Sequence, residues 1–168
     1  MPTFQLKTLS AEAIPRSLEK AEHYRLLNEP VEAESICLDV LQIDPENQRA
    51  LVTLLLALTD QFERGPGELG QRAHEVLPRL RGEYQRAYYT GIVWERRAKA
   101  RLAVGGPGAA FAAYEMFRAA MAAYETAESL APAGNEDAAL RWNTCARLMM
   151  RAPGLEPGPE ERTEQPLE

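Results

Sequence analysis

The chain has 168 residues, a formal net charge of −6, 45% hydrophobic and 26% charged residues, and two cysteines. This is enough for one compact domain or a short repeat array, too apolar for a wholly disordered chain, and too poor in cysteine for a disulfide framework or a four-cysteine metal site. The net acidity argues against a nucleic-acid partner, but it conceals a block over 79–101 with seven basic and two acidic side chains.

Residues 1–10 read as an N-terminal extension without the basic-then-apolar pattern of a secretory signal. Beyond them, isoleucine, valine and threonine total 18, and no stretch alternates over a strand's length, so strands lack both their residues and their period. Glycine and proline fall instead in clumps: Asn28-Glu29-Pro30, Asp44-Pro45, Gly65-Pro66-Gly67, Gly82, Gly105-Gly106-Pro107-Gly108 and Pro132-Ala133-Gly134. The intervals predict seven helices, over about 11–28, 31–43, 47–63, 68–81, 84–103, 108–130 and 135–150. The fold class is therefore all-α, with short breaks that favour antiparallel neighbours.

The apolar spacing supports each helix. Leu18, Ala21, Leu26 and Leu27 are assigned to the packing side of the first, and Ala33, Ile36, Cys37, Val40 and Leu41 mark the second at i, i+3, i+4, i+7 and i+8. Leu51 to Leu58 is apolar on several faces, as a central helix would be. Pro78 is predicted to kink or end the fourth helix. The sixth is rich in alanine, which lets neighbouring helices approach closely. The longest apolar run, Leu54 to Leu58, is far short of the ~20 residues of a membrane helix. Cys37 and Cys145 lie among apolar neighbours as buried, reduced thiols, and a cytoplasmic location is expected. Residues 152–168, with four prolines and five glutamates, are expected to form a disordered acidic tail outside a helical domain over 11–151.

A repeat runs through the helices. Ala21 and Tyr24 precede Ala33, Cys37, Val40 and Pro45; Gly91 and Trp94 precede Ala120, Tyr124, Ala127 and Pro132; Leu51, Leu54, Leu55 and Leu58 hold the intermediate place. Small residues sit where two helices would cross, a larger one fills the neighbouring hole, and proline stops the second helix. The pattern resembles the tetratricopeptide repeat over about residues 15–150, most closely at 21–45 and 120–132 and least at 64–82. The resemblance implies a right-handed solenoid of antiparallel helix pairs, with about three repeats and a C-terminal capping helix carrying Trp142 and Cys145. The third hairpin is elongated by the 17 extra residues between Trp94 and Ala120.

Chemistry is hard to place on this chain. His23 and His74 are 51 residues apart, and neither has a second histidine or a cysteine one helical turn away. Gly105 to Gly108 lacks the lysine of a phosphate loop, and Glu32 and Glu34 point to different helix faces. No catalytic residue, cofactor or metal is assigned, and a small helical enzyme or metal protein is the weakest of the three readings.

The leading reading is a non-catalytic adaptor or scaffold. In tetratricopeptide stacks the first helix of each pair lines a concave groove that takes a peptide or helix. The resemblance places Leu18, Glu22 and Arg25, then Arg49, Val52, Leu56 and Thr59, then Tyr88, Ile92, Glu95 and Arg96, and finally Ala139, Asn143 and Arg147 along that groove. Arginines at several heights suit carboxylates, and Tyr88 and Ile92 suit an apolar anchor, so the expected partner is an acidic or amphipathic protein segment. Co-chaperone members of the superfamily clamp a C-terminal carboxylate with lysines, asparagines and an arginine. Here Glu22 replaces the first asparagine and the lysines are missing, which argues against that role. The basic block Arg79, Arg81, Arg86, Arg96, Arg97, Lys99 and Arg101 reads either as a solvated face or as a contact for an acidic partner, the chain's own Glu160, Glu161 and Glu164 included. The alternative adaptor-free reading is a homodimer built through the long hairpin 84–130.

Overall fold

A computed structural model describes residues 1–158. These residues form seven α-helices and two 3-10 turns, with no strand among them. The chain is all-α, and packing gathers it into two compact units, Met1–Gln61 and the chain from Phe62 onward.

In the first unit a 3-10 turn, Ala11–Ala13, leads into α1 (Ile14–Leu26), followed by α2 (Pro30–Ile43) and α3 (Gln48–Thr59). Asn28 ends α1 by taking the left-handed conformation, φ 60°, while the Glu29 N–H reaches back to the Tyr24 carbonyl at 2.9 Å. Pro30 then starts α2, where its missing N–H costs nothing. Asn47 caps α3 by accepting the Ala50 N–H at 2.9 Å. The core is Leu18, Ala21, Ala33, Cys37, Val40, Ala50, Leu51, Leu55 and Leu58, all nearly inaccessible. Leu26 and Leu27 do not join it; they are 86% and 55% exposed. At 100° per residue they lie well off the stripe through Leu18 and Ala21, which Arg25 continues.

The second unit contains α4 (Pro66–Val76), a 3-10 turn Leu77–Arg79, α5 (Glu83–Val104), α6 (Ala109–Leu130) and α7 (Asp137–Arg151). Pro78 sits in the turn that ends α4. Helices α5 and α6, 22 residues each, form one long hairpin across a glycine turn in which Gly105, Gly106 and Gly108 all have positive φ. Arg101 donates to the Gly105 and Pro107 carbonyls and closes that turn. A close approach fixes the hairpin's register. A Cβ at Gly91 would lie 2.4 Å from Tyr124 Cε1, so the ring rests directly on the α5 backbone. Helix α7 packs on α6, and the Trp142 indole N–H donates to Glu125 at 3.0 Å. Leu155, placed in the tail by composition, is buried at 6% exposure. Glu160, Glu161 and Glu164 lie outside the described residues.

Candidate functional site

The second unit holds its most concentrated charge inside the protein. Glu95 is fully buried on α5. One helical turn on, Lys99 donates to its Oε1, an i,i+4 pair. From α6 the Tyr124 hydroxyl donates to Oε2 at 2.7 Å, and from α7 the Arg141 Nε lies 3.3 Å from the same oxygen. Three helices therefore meet on one carboxylate. Burial opposes its ionisation, but Lys99, Tyr124 and Arg141 outweigh burial and hold the carboxyl below its ordinary value. Burial and the carboxylate together raise the Tyr124 phenol. Burial lowers the Arg141 guanidinium's affinity for its proton, but Glu95 and Tyr124 more than restore it, for a net rise. Two cations, Lys99 and Arg141, share this carboxylate, and Asp137, one turn before Arg141 on α7, adds a second negative charge that acts on Tyr88.

An aromatic wall adjoins this cluster. Tyr84 and Tyr88, one turn apart on α5, stack at 5.8 Å and 13°. Tyr88 also faces the Tyr124 ring at 6.0 Å, and the Tyr84 hydroxyl reaches Asn135 Oδ1 at 3.3 Å. Tyr84, Tyr88 and Lys99 are partly exposed, while Glu95 on the same helix is buried. A stacked aromatic pair joined through Tyr124 to a buried ion cluster makes a surface suited to apolar and acidic groups.

A second cluster joins α4 to α5. The Arg97 guanidinium lies 4.8 Å over the Trp94 ring, and His74 meets Trp94 edge-on at 5.4 Å. Arg97 Nη1 stands 3.2 Å from His74 Nε2. Arginine can only donate, so Nε2 accepts and the imidazole is neutral with its proton on Nδ1. Burial and then Arg97 lower the His74 pKa below its ordinary 6.5.

Both depressions have the same sign for stability. A group with a lower pKa in the folded state contributes fully above its unfolded value and loses that contribution as pH falls through the folded one. The urea midpoint of the second unit should therefore be level near neutrality, begin to fall as pH drops below about 6.5, and fall more steeply below about 4.5, the ordinary values for His74 and Glu95. A midpoint independent of pH from 7 to about 3 would contradict this.

The expected groove residues are distributed unevenly. In the first unit Leu18 and Thr59 are buried, while Val52 and Leu56 are partly exposed. Arg49 forms a two-pronged pair with Glu22 at 2.7 and 2.8 Å, and Arg25 one with Asp60 at 2.8 and 3.3 Å. Those guanidinium forks are thus spent on carboxylates of this chain, and Arg49 holds the Glu22 carboxyl below its usual range. In the second unit Ile92 and Glu95 are buried, Tyr88 and Arg96 partly exposed, and Asn143 and Arg147 exposed on α7. Arg147 lines an open depression with Thr144, Leu148, Arg151 and Ala152. The structure brings Tyr88 and Glu95 together and adds Tyr84, Lys99, Tyr124 and Arg141, which the spacing argument did not assign. Lys99 had a legible signal in its i,i+4 relation to Glu95; Arg141 had none.

The basic block over 79–101 is not one surface. Arg97 is stacked on Trp94, Arg86 donates to the Leu80 carbonyl at 2.9 Å, and Arg101 caps the glycine turn. Burial pushes the Cys37 and Cys145 thiols up to about 12, which makes them poor nucleophiles at neutral pH. Among the described residues no cluster of three His, Cys, Asp or Glu could hold a metal ion, and no helix is long and apolar enough to cross a membrane. No protein-family model, curated protein or solved structure matches the chain.

Proposed function

We propose that the chain is a non-catalytic protein-interaction module, a short tetratricopeptide-like solenoid acting in the cytoplasm as an adaptor or scaffold. It binds a peptide or helix of a partner protein, acidic or amphipathic in character. The small residues assigned to helix crossings, Ala21, Ala33, Gly91, Ala120 and Ala127, are all buried, which supports the repeat register.

One observation carries the binding reading: the Tyr84–Tyr88 stack of α5, partly exposed, with Tyr88 near Arg141, which the buried Glu95 holds. The aromatics offer low-entropy apolar contact, and the partly exposed Lys99 ammonium farther along α5 offers a charge for a carboxylate. Nucleic acid fits poorly, because the arginines of the basic block are largely engaged within the protein and the overall charge is negative.

Affinity purification from native lysate with wild type and a Tyr88→Ala, Arg96→Glu variant tests this. A partner of this face should bind the variant at least about 30-fold more weakly, as expected for loss of an aromatic hot spot. Partners retained equally by both proteins do not use it, and if every partner behaves so the reading fails. Circular dichroism of the variant establishes that its helices are intact.

A further inference from the structure

The outward face of α6 mixes one large apolar side chain with opposite charges before it runs into the polar Glu125, Thr126 and Ser129. Phe111, Glu115, Arg118 and Ala122 recur every three to four residues and are all exposed, while Ala113, Phe117, Ala120, Tyr124 and Ala127 fill the opposite side. Phe111 keeps 40% of its surface in water. Glu115 and Arg118 carry opposite charges one turn apart, and neither side chain makes an ion pair or hydrogen bond within the described residues.

We propose that this face binds the same face of a second copy of the chain, with the two α6 helices antiparallel about a two-fold axis. The register follows from the residues. Setting Glu115 against the partner subunit's Arg118 centres the axis between Met116 and Phe117. The same centring sets Phe111 against the partner subunit's Ala122. A large side chain meets a small one and an acid meets a base, and the symmetry repeats each contact. An α6 of 22 residues is about 33 Å long, so both pairs of contacts fit on one straight helix contact. A parallel arrangement would instead oppose Glu115 to glutamate and Arg118 to arginine. Self-complementarity in both size and charge is the property of a surface fitted to its own copy; an unrelated partner does not require it. The exposed ion pairs contribute little to affinity and act mainly on register, while Phe111 supplies most of the apolar area.

This surface lies on α6, away from Tyr84 and Tyr88 of α5, so it does not depend on the groove reading. Light scattering or sedimentation of the full chain over about 1 to 500 µM should show the mass rising from the 18.7 kDa monomer toward twice that value. Glu115→Arg or Arg118→Glu alone opposes like charges at both pairs and should weaken the dimer at least about tenfold. The double variant Glu115→Arg, Arg118→Glu restores opposite signs and should return the dissociation constant to within about threefold of wild type. Phe111→Ala should weaken association, and Tyr88→Ala should leave it unchanged. A monomer at every concentration overturns the proposal. So do single reversals without effect, a double variant as weak as the singles, or a dimer lost on Tyr88→Ala.

Discussion

Glu95→Gln should cost the second unit about 3–5 kcal/mol, the scale for removing one member of a buried charge cluster and leaving its partners uncompensated. The glutamine has the same volume, so the loss is electrostatic and not a packing defect. Arg141 keeps its charge in a partly buried place, and the Tyr124 hydroxyl loses a carboxylate acceptor at 2.7 Å. Urea denaturation followed by tryptophan fluorescence measures the cost. Arg141→Met in the Glu95→Gln background should add much less than it does alone, because the two residues share one interaction. Lys99→Met should cost under about 1 kcal/mol, since the lysine side chain is 42% exposed and water screens its pair. If Glu95→Gln cost less than about 1 kcal/mol, Glu95 would not be the anchor that ties α7 to α5 and α6.

Gly91→Ala is the second large effect, and its sign runs against helix propensity. Alanine inside a helix is ordinarily better than glycine by up to about 1 kcal/mol. At Gly91 the new methyl would stand 2.4, 2.6 and 2.8 Å from three atoms of the Tyr124 ring. The ring is fully buried and its hydroxyl is tethered to Glu95, so it has no free direction in which to move. A destabilisation at or above the usual ~1–3 kcal/mol of overpacking is expected, measured by thermal or urea unfolding. Gly67→Ala is the control. Nothing lies within 4 Å of its added methyl, so propensity alone decides and stability should rise slightly. Tyr124→Val combined with Gly91→Ala should cost less than the two separate losses together, because the clash disappears with the ring.

How much of this was legible depends on the range of the interaction. Some helix ends were readable because their causes are local: Asn28 and Pro30 act on the nearest peptide units, and Pro78 lies in the turn that ends α4; others were not, since α3 stops at Thr59 and not at 63, and α4 runs Pro66–Val76 and not 68–81. The repeat spacing marked Gly91 as a small crossing residue but paired it with Trp94; that the large side chain resting on it is Tyr124 of α6 only the structure shows. The ion pairs were not legible. Arg25 finds Asp60 35 residues away, Arg49 finds Glu22 27 residues away, and Arg141 reaches Glu95 from another helix, so no periodicity marks them. The same limit misjudged Glu95. Its spacing put it on a face with Tyr88, but only the arrival of α6 and α7 made that position interior. For Leu26 and Leu27 the failure was local, because counting apolar residues ignored that their angles leave the stripe.

The chain's two tryptophans are Trp94 and Trp142, the first between Arg97 and His74 and the second tied to Glu125. Both belong to the unit that begins at Phe62. Intrinsic indole emission therefore originates in that unit, and α1 to α3 contain no indole. Helical ellipticity is carried by both units, so the two optical signals view different parts of one polypeptide. A fluorescence melt alone reports from residues of one unit, and ellipticity is the signal that includes α1 to α3.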